Sequence, residues 1–163
     1  MQHIAPARRR VPDFVALYDR FKKLGKGPQA ELRRVAAFDR VADLPAYYRW
    51  LGGVPPSPLL ERIAFLMPFA SHNAAAESLG RQLFKKQVRE IRLFQMLRSE
   101  RPVDIEHLRR LLRYLQEPEL DWQQFGRTLY YWGSRSKQAI LQQYFTAETT
   151  SGHSQPTEEA NDE

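Results

Sequence analysis

Apolar residues return along the chain at helical spacing, and strict two-residue alternation bounded by hairpin turns is almost missing. Phe14, Leu17, Tyr18 and Phe21 make one stripe behind a Pro12-Asp13 start, and Gly25-Lys26-Gly27-Pro28 predicts its end. A second, basic helix carries Leu32, Val35 and Ala36 beside Arg33 and Arg34. A short third follows Pro45 with Tyr47, Tyr48, Trp50 and Leu51. Ser57 as N-cap and Pro58 at the first helical position open an apolar helix from Leu59 to Met67, which Pro68 should kink or end.

Between Leu79 and Leu97 the apolar positions do not keep to one face, since Leu93 and Met96 stray from the stripe of Phe84, Val88 and Ile91; this implies a break or broad burial. The next stripe, Ile105, Leu108, Leu111, Leu112 and Leu115, is cleaner, with Asp104 expected as its cap. At about 100° per residue, Arg109, Arg110 and Arg113 fall on the opposite arc. Asp121, with Gln124 three residues on, looks like a capping box ahead of Trp122, Phe125, Leu129 and Trp132. Gly133-Ser134 interrupts that pattern, and a last helix with Ile140, Leu141, Tyr144 and Phe145 closes the body. The expected architecture is therefore all-α. A single helical-bundle domain spans 13–145, a flexible basic N-terminus occupies 1–12, and a disordered acidic tail occupies 146–163.

A length of 163 residues fits one domain, and folding should bury roughly 70% of the surface the unfolded chain exposes. The chain has no cysteine, which removes disulfides, thiolate metal sites and cysteine nucleophiles and fits a reducing cytoplasm. Its apolar runs fall far short of the about 20 residues a membrane span needs. Charge changes the picture more. The chain carries 25 Lys+Arg against 19 Asp+Glu, a net +6, yet five of those acids and no Lys or Arg lie in 146–163, so 1–145 carries +11. Arginine dominates the cations, and its planar fork suits phosphate, so the expected partner is a polyanion.

Catalytic chemistry finds little support. His3, His72, His107 and His153 share no metal-ligand spacing, and His107 is better read as a surface or half-buried structural residue than as a general base. Glu117, Glu119 and Asp121 crowd one turn, where a cap and solvated loop acids account for them more simply than a magnesium site does. No metal or cofactor is expected, and no enzymatic role. The aromatic residues Tyr47, Tyr48, Trp50, Trp122, Tyr130, Tyr131 and Trp132 have the spacing of core packing rather than of a base-stacking platform. A helix-turn-helix reading of Asp104 to Trp132 fails on Pro118 in the turn and on the apolar second helix.

Four ordered runs carry a resemblance: Ser78-Leu79-Gly80-Arg81, Leu93 to Arg101, Leu108-Arg109-Arg110-Leu111-Leu112 and Leu120-Asp121-Trp122. Ala30 to Val35 and Tyr131-Trp132-Gly133 add to it. From about Phe14 to Phe145 the chain resembles the CasB family, the small subunit of Cascade, the type I-E CRISPR surveillance complex. The resemblance implies a non-enzymatic helical protein, paired with a second copy of itself between the backbone filament and the large subunit. It would hold crRNA and target DNA, that is, the displaced strand and the guide–target hybrid, without reading sequence. Guide pairing reads sequence in such complexes, so side chains need supply only charge and shape.

The positions that match the family's basic motifs are Arg33, Arg34, Arg81, Arg92, Arg98, Arg101, Arg109 and Arg110, with Arg33 or Arg98 expected to serve structural or subunit contacts. Ser134 stands where a basic residue is expected after Tyr131-Trp132-Gly133, and Arg135 and Lys137 are expected to compensate. The stretch His72 to Glu77 departs from the family in length. The competing reading is a protein adaptor whose basic faces meet acidic subunits. The acidic tail is expected to mask the basic face in the free protein.

Overall fold

The computed structural model describes residues 11–151. Among the described residues nine α-helices run α1 Phe14–Lys23, α2 Lys26–Arg34, α3 Pro45–Leu51, α4 Pro58–Leu66, α5 Leu79–Lys85, α6 Glu90–Arg98, α7 Val103–Tyr114, α8 Trp122–Tyr130 and α9 Ser134–Ser151. Two 3₁₀ turns, Phe38–Asp43 and Met67–Phe69, join them, with strands β1 Ser71–His72 and β2 Glu119–Leu120. The expected flexible N-terminus lies almost wholly outside the described residues, as does the tail beyond Ser151.

The helix starts follow local chemistry. Oδ1 of Asp13 accepts the Ala16 amide at 3.0 Å, Oγ of Ser57 accepts that of Leu60 at 3.2 Å, and Oδ1 of Asp121 that of Gln123 at 3.0 Å. The chain reverses sooner than expected after α1: α2 begins inside the Gly-Pro stretch with Gly25 as N-cap, and Pro28 sits in the first turn, where a missing N–H costs nothing. Val35 and Ala36 therefore lie beyond the end of α2. Pro68 ends α4 by turning it into the 3₁₀ turn at Met67. The break expected within Leu79 to Leu97 falls at Lys86–Arg89, where Gln87 takes φ 57°. Arg81 and Lys85 consequently ride on α5, separate from Arg92 on α6.

Asp104 is not a cap. Pro102 holds that position, and Asp104 is buried at 1% exposure inside α7. The reason is long-range: its carboxylate receives groups from the α8–α9 junction and from α9. The last helix also runs past the expected boundary, continuing through Ser151 with Ala147 packed inward.

One core joins all these elements, centred on α4. Phe65, Leu66 and Met67 are fully buried with Trp50, Tyr47, Trp122 and Phe14. The buried indoles keep their N–H groups satisfied, Trp50 donating to the Leu17 carbonyl and Trp122 to that of Ala70, each at 2.9 Å. β1 and β2 pair in parallel, Ser71 opposite Glu119 and His72 opposite Leu120, which pins the segment after α4 to the α7–α8 link. Nδ1 of His72 then accepts the Trp122 amide at 3.0 Å, satisfying one orphan donor of α8.

Candidate nucleic-acid interface

The eight arginines expected at the site divide by what their guanidinium groups already hold. Arg109 is committed to the fold. It projects from α7 toward the end of α2 and donates to the carbonyls of Val35 at 2.6 Å and Ala36 at 3.0 Å, acceptors the helix end leaves without partners. Its guanidinium carbon lies 4.3 Å from the Phe65 ring centroid, and burial lowers its pKa. Arg33 is committed too, donating to Glu117 and, at 2.9 Å, to the Pro68 carbonyl. Arg101 donates to the Trp132 carbonyl at 2.6 Å.

Partial engagement marks three more. Arg34 gives its Nε to Ala30, one turn back on its own helix, at 3.2 Å. Arg81 stands 3.8 Å from Glu77, which Lys85 approaches at 2.5 Å. Arg98 lies over Phe94 of its own helix at 5.1 Å. All three remain exposed.

Arg92 and Arg110 line one groove. α6 packs along α7, and their shared surface forms a groove of about 220 Å³ lined by Arg92, Gln95, His107, Arg110 and Leu111. Arg110 has no hydrogen-bond or ion-pair partner among the described residues. Arg92 likewise has no hydrogen bond or ion pair among the described residues; its guanidinium carbon lies 5.2 Å from the ring centroid of Tyr114, a residue 46% exposed. Two cationic forks and an amide thus face one opening with no carboxylate in its lining, an arrangement that favours an anion. One turn after Arg110, Arg113 extends the basic arc; it lies over Phe69 at 5.3 Å, where Arg33 at 5.4 Å and Arg109 at 5.9 Å crowd the same ring.

Sequence reading missed some of this surface. Tyr114 belongs to it: its place four residues after Arg110 puts it on the basic arc, the one sequence signal that points to it. Tyr48 and Tyr131, expected in the core, are exposed at 48% and 56%, while Tyr47, Trp50, Trp122 and Trp132 are buried as expected. Lys137 cannot stand in for the basic residue absent at Ser134, because its ammonium is buried against Asp104 at 2.8 Å; Arg135 is exposed. Arg62 hides in the apolar run of α4, 2% exposed. It donates to the Leu129 carbonyl at 2.6 Å with its Nε unpartnered, and burial first, then the charge of Arg101, pushes its pKa down to about 10.

Among the described residues no group of three or more His, Asp or Glu side chains is placed to hold a metal, and no helix is long and apolar enough to cross a membrane. Residues 28–145 match the family model of the CRISPR-associated protein Cse2. The chain is 34% identical over 149 residues to the CRISPR system Cascade subunit CasB of Escherichia coli (strain K12), covering 81% of this chain and 92% of that protein. It also superposes with a TM-score of 0.79 and 33% identity on a chain in the crystal structure of E. coli Cascade bound to a PAM-containing dsDNA target. That match covers 86% of this chain and 99% of the other.

Proposed function

The chain belongs to the CRISPR-associated Cse2 family, the CasB subunits of type I-E Cascade, and we propose that within such a complex it clamps nucleic acid by its phosphates, without catalysis and without reading sequence. It serves CRISPR defence as a Cascade subunit, with the other subunits, crRNA and target DNA as its partners. The observation that carries the clamp reading is the α6–α7 groove, lined by both Arg92 and Arg110 on a strongly basic body. R-loop formation is nearly balanced, so a few phosphate contacts to the displaced strand or the hybrid suffice to tip it. Arg34, Arg81 and Arg98 supply further exposed charge. Arg33, Arg101 and Arg109 act by holding the helices that carry it.

A second reading, the protein adaptor, draws on Ile91, which stands 64% exposed beside Arg92 on α6 and suits contact with another subunit.

Reconstituted guide-RNA complexes containing the parent chain, the Arg92→Ala/Arg110→Ala variant or no chain separate the two. Permanganate reactivity of the displaced strand reports the lifetime of the open target. The clamp reading expects the variant to assemble but to shorten that lifetime toward the value without the chain. Equal lifetimes for parent and variant overturn the assignment of these arginines. If leaving the chain out also changes nothing, the adaptor reading gains.

A further inference from the structure

The stretch that follows α9 is the chemical opposite of the surface where α9 ends. Residues 152–163 carry Glu158, Glu159, Asp162 and Glu163 and no Lys or Arg. Ser151, the last residue of α9, lines an open groove together with Lys85, Val88, Arg89, Glu90 and Tyr144 at the start of α6. From that groove onward Lys86, Arg89, Arg92 and Arg98 are exposed, and none forms an ion pair among the described residues. Against them stand Glu90 in the groove, the exposed Glu100 two residues after Arg98, and Glu148 one turn before Ser151.

Reach is sufficient. Glu158 lies seven residues beyond Ser151 and can extend about 25 Å from it, whereas the nine residues of α6 span only about 13 Å. Tethering a segment this closely gives an effective concentration in the millimolar range, so a contact with a Kd of about a millimolar is already half formed. The segment holds almost no apolar side chains, which makes its docking electrostatic and salt-sensitive.

We propose that residues 152–163 dock on this chain's own exposed cations from Lys86 to Arg98, at the α5–α6 break and along α6, and occupy the surface that phosphates take. The docking itself needs only the charges named; the competition with nucleic acid rests on the clamp reading above. Free subunit would thereby be held off unrelated nucleic acid, while a densely charged strand presented inside the complex displaces the tail.

The absence of cysteine allows a single nitroxide label to be placed at Ala160→Cys, among the tail's acids, in the full-length chain. At about 50 mM salt, amides of Lys86–Arg98 should be broadened selectively, and about 0.5 M salt or a single-stranded oligonucleotide should relieve the broadening. The full-length variant Glu158→Gln/Glu159→Gln/Asp162→Asn/Glu163→Gln, labelled likewise, should lose the broadening and bind the oligonucleotide about 3–10-fold more tightly at low salt. Broadening centred elsewhere, no broadening, or broadening that passes from labelled to unlabelled molecules in a mixed sample overturns the docking. Broadening on α6 in a protein that binds no oligonucleotide upholds the docking and defeats the clamp reading alone.

Discussion

The Lys137 ammonium stands 2.8 Å from Oδ2 of Asp104, with side chains only 15% and 2% exposed. The same oxygen accepts the Trp132 indole N–H at 2.8 Å, Oδ1 accepts the Ile105 amide at 2.8 Å, and Lys137 also donates to the Ser99 carbonyl at 2.8 Å. Three elements meet at this carboxylate: the first turn of α7, the α8–α9 junction and the first turn of α9. A buried pair so fully hydrogen-bonded is expensive to break from one side, because the remaining charge stays desolvated. Asp104→Asn should therefore cost about 3–5 kcal/mol, read as a lower urea midpoint. Pairing it with Lys137→Met should restore a large part of the loss in a double-mutant cycle.

Arg109 and Arg110 are neighbours in sequence and opposites in role. Arg109→Met abandons two backbone carbonyls and a stacked ring, and should cost about 2–3 kcal/mol. Arg109→Lys should rescue little of this, since an ammonium cannot reproduce the two-pronged fork. Arg110→Ala touches nothing internal and should change stability by less than about 0.5 kcal/mol. If Arg110 contacts phosphate, that variant should lower the magnitude of the salt-dependence slope of binding by about 0.7–0.9, equally for unrelated sequences. Unfolding curves and binding isotherms at several salt concentrations separate the two effects, and a loss that depends on base sequence argues against a phosphate clamp.

That pair also shows where sequence reading stops. Helical spacing located the apolar stripes of α1, α4, α7 and α8, because burial of one face repeats every turn and leaves a periodic mark. It also located the break between α5 and α6, where the stripe changes face. A helical wheel placed Arg109 and Arg110 alike on the polar arc of α7, since nothing in their own helix shows that the end of α2 lies within reach of one and not the other. Asp104 fails for the same reason. Asp ahead of an apolar run ordinarily marks a cap, and the partners that bury it, Trp132 and Lys137, return from 28 and 33 residues further along the chain. The cation-rich composition was legible; the apportioning of each cation to carbonyl, ring or solvent was a property of tertiary contact.

The crossing of α5 and α9 depends on a residue without a side chain. A Cβ on Gly80 would press on the Ile140 carbonyl, with Cβ of Gln143 at 2.5 Å and the Tyr144 amide nitrogen at 2.9 Å. Most of what it meets is backbone, which cannot swing aside, so α9 must lift off α5. Gly80→Ala should cost about 2–3 kcal/mol despite alanine's better helix propensity, a reversal of the usual gain of about 1 kcal/mol. Faster hydrogen exchange along α9, with α4 protected as before, would locate the damage; unchanged stability would show that the two helices tolerate wider spacing.

Tyr47 gives the fold an alkaline weakness. Its ring is fully buried, its hydroxyl donates to the Ser57 carbonyl at 3.3 Å, and desolvation raises its pKa from 10.0 to about 12. The folded chain thus keeps this proton over a range in which the unfolded chain releases it. Stability from Tyr47 is fully present below pH 10 and is lost as pH rises toward 12, by at most about 1.4 kcal/mol per unit. Arg62 acts in the opposite direction. Its folded pKa of about 10 lies below the ordinary guanidinium range, so the unfolded chain binds the extra proton above pH 10 and stability from this group rises there. The two slopes oppose one another, and the parent protein should lose less in this range than Tyr47 alone dictates. Tyr47→Phe removes one of them. At pH 7 it should cost only about 1 kcal/mol for the lost hydrogen bond. Between pH 10 and 12 its stability should climb relative to the parent by about 1.4 kcal/mol per unit, crossing it within the first pH unit or so. Urea titrations of both proteins at stepped pH test this; parallel curves would mean that the Tyr47 phenol ionises as readily in the folded chain as in the unfolded one.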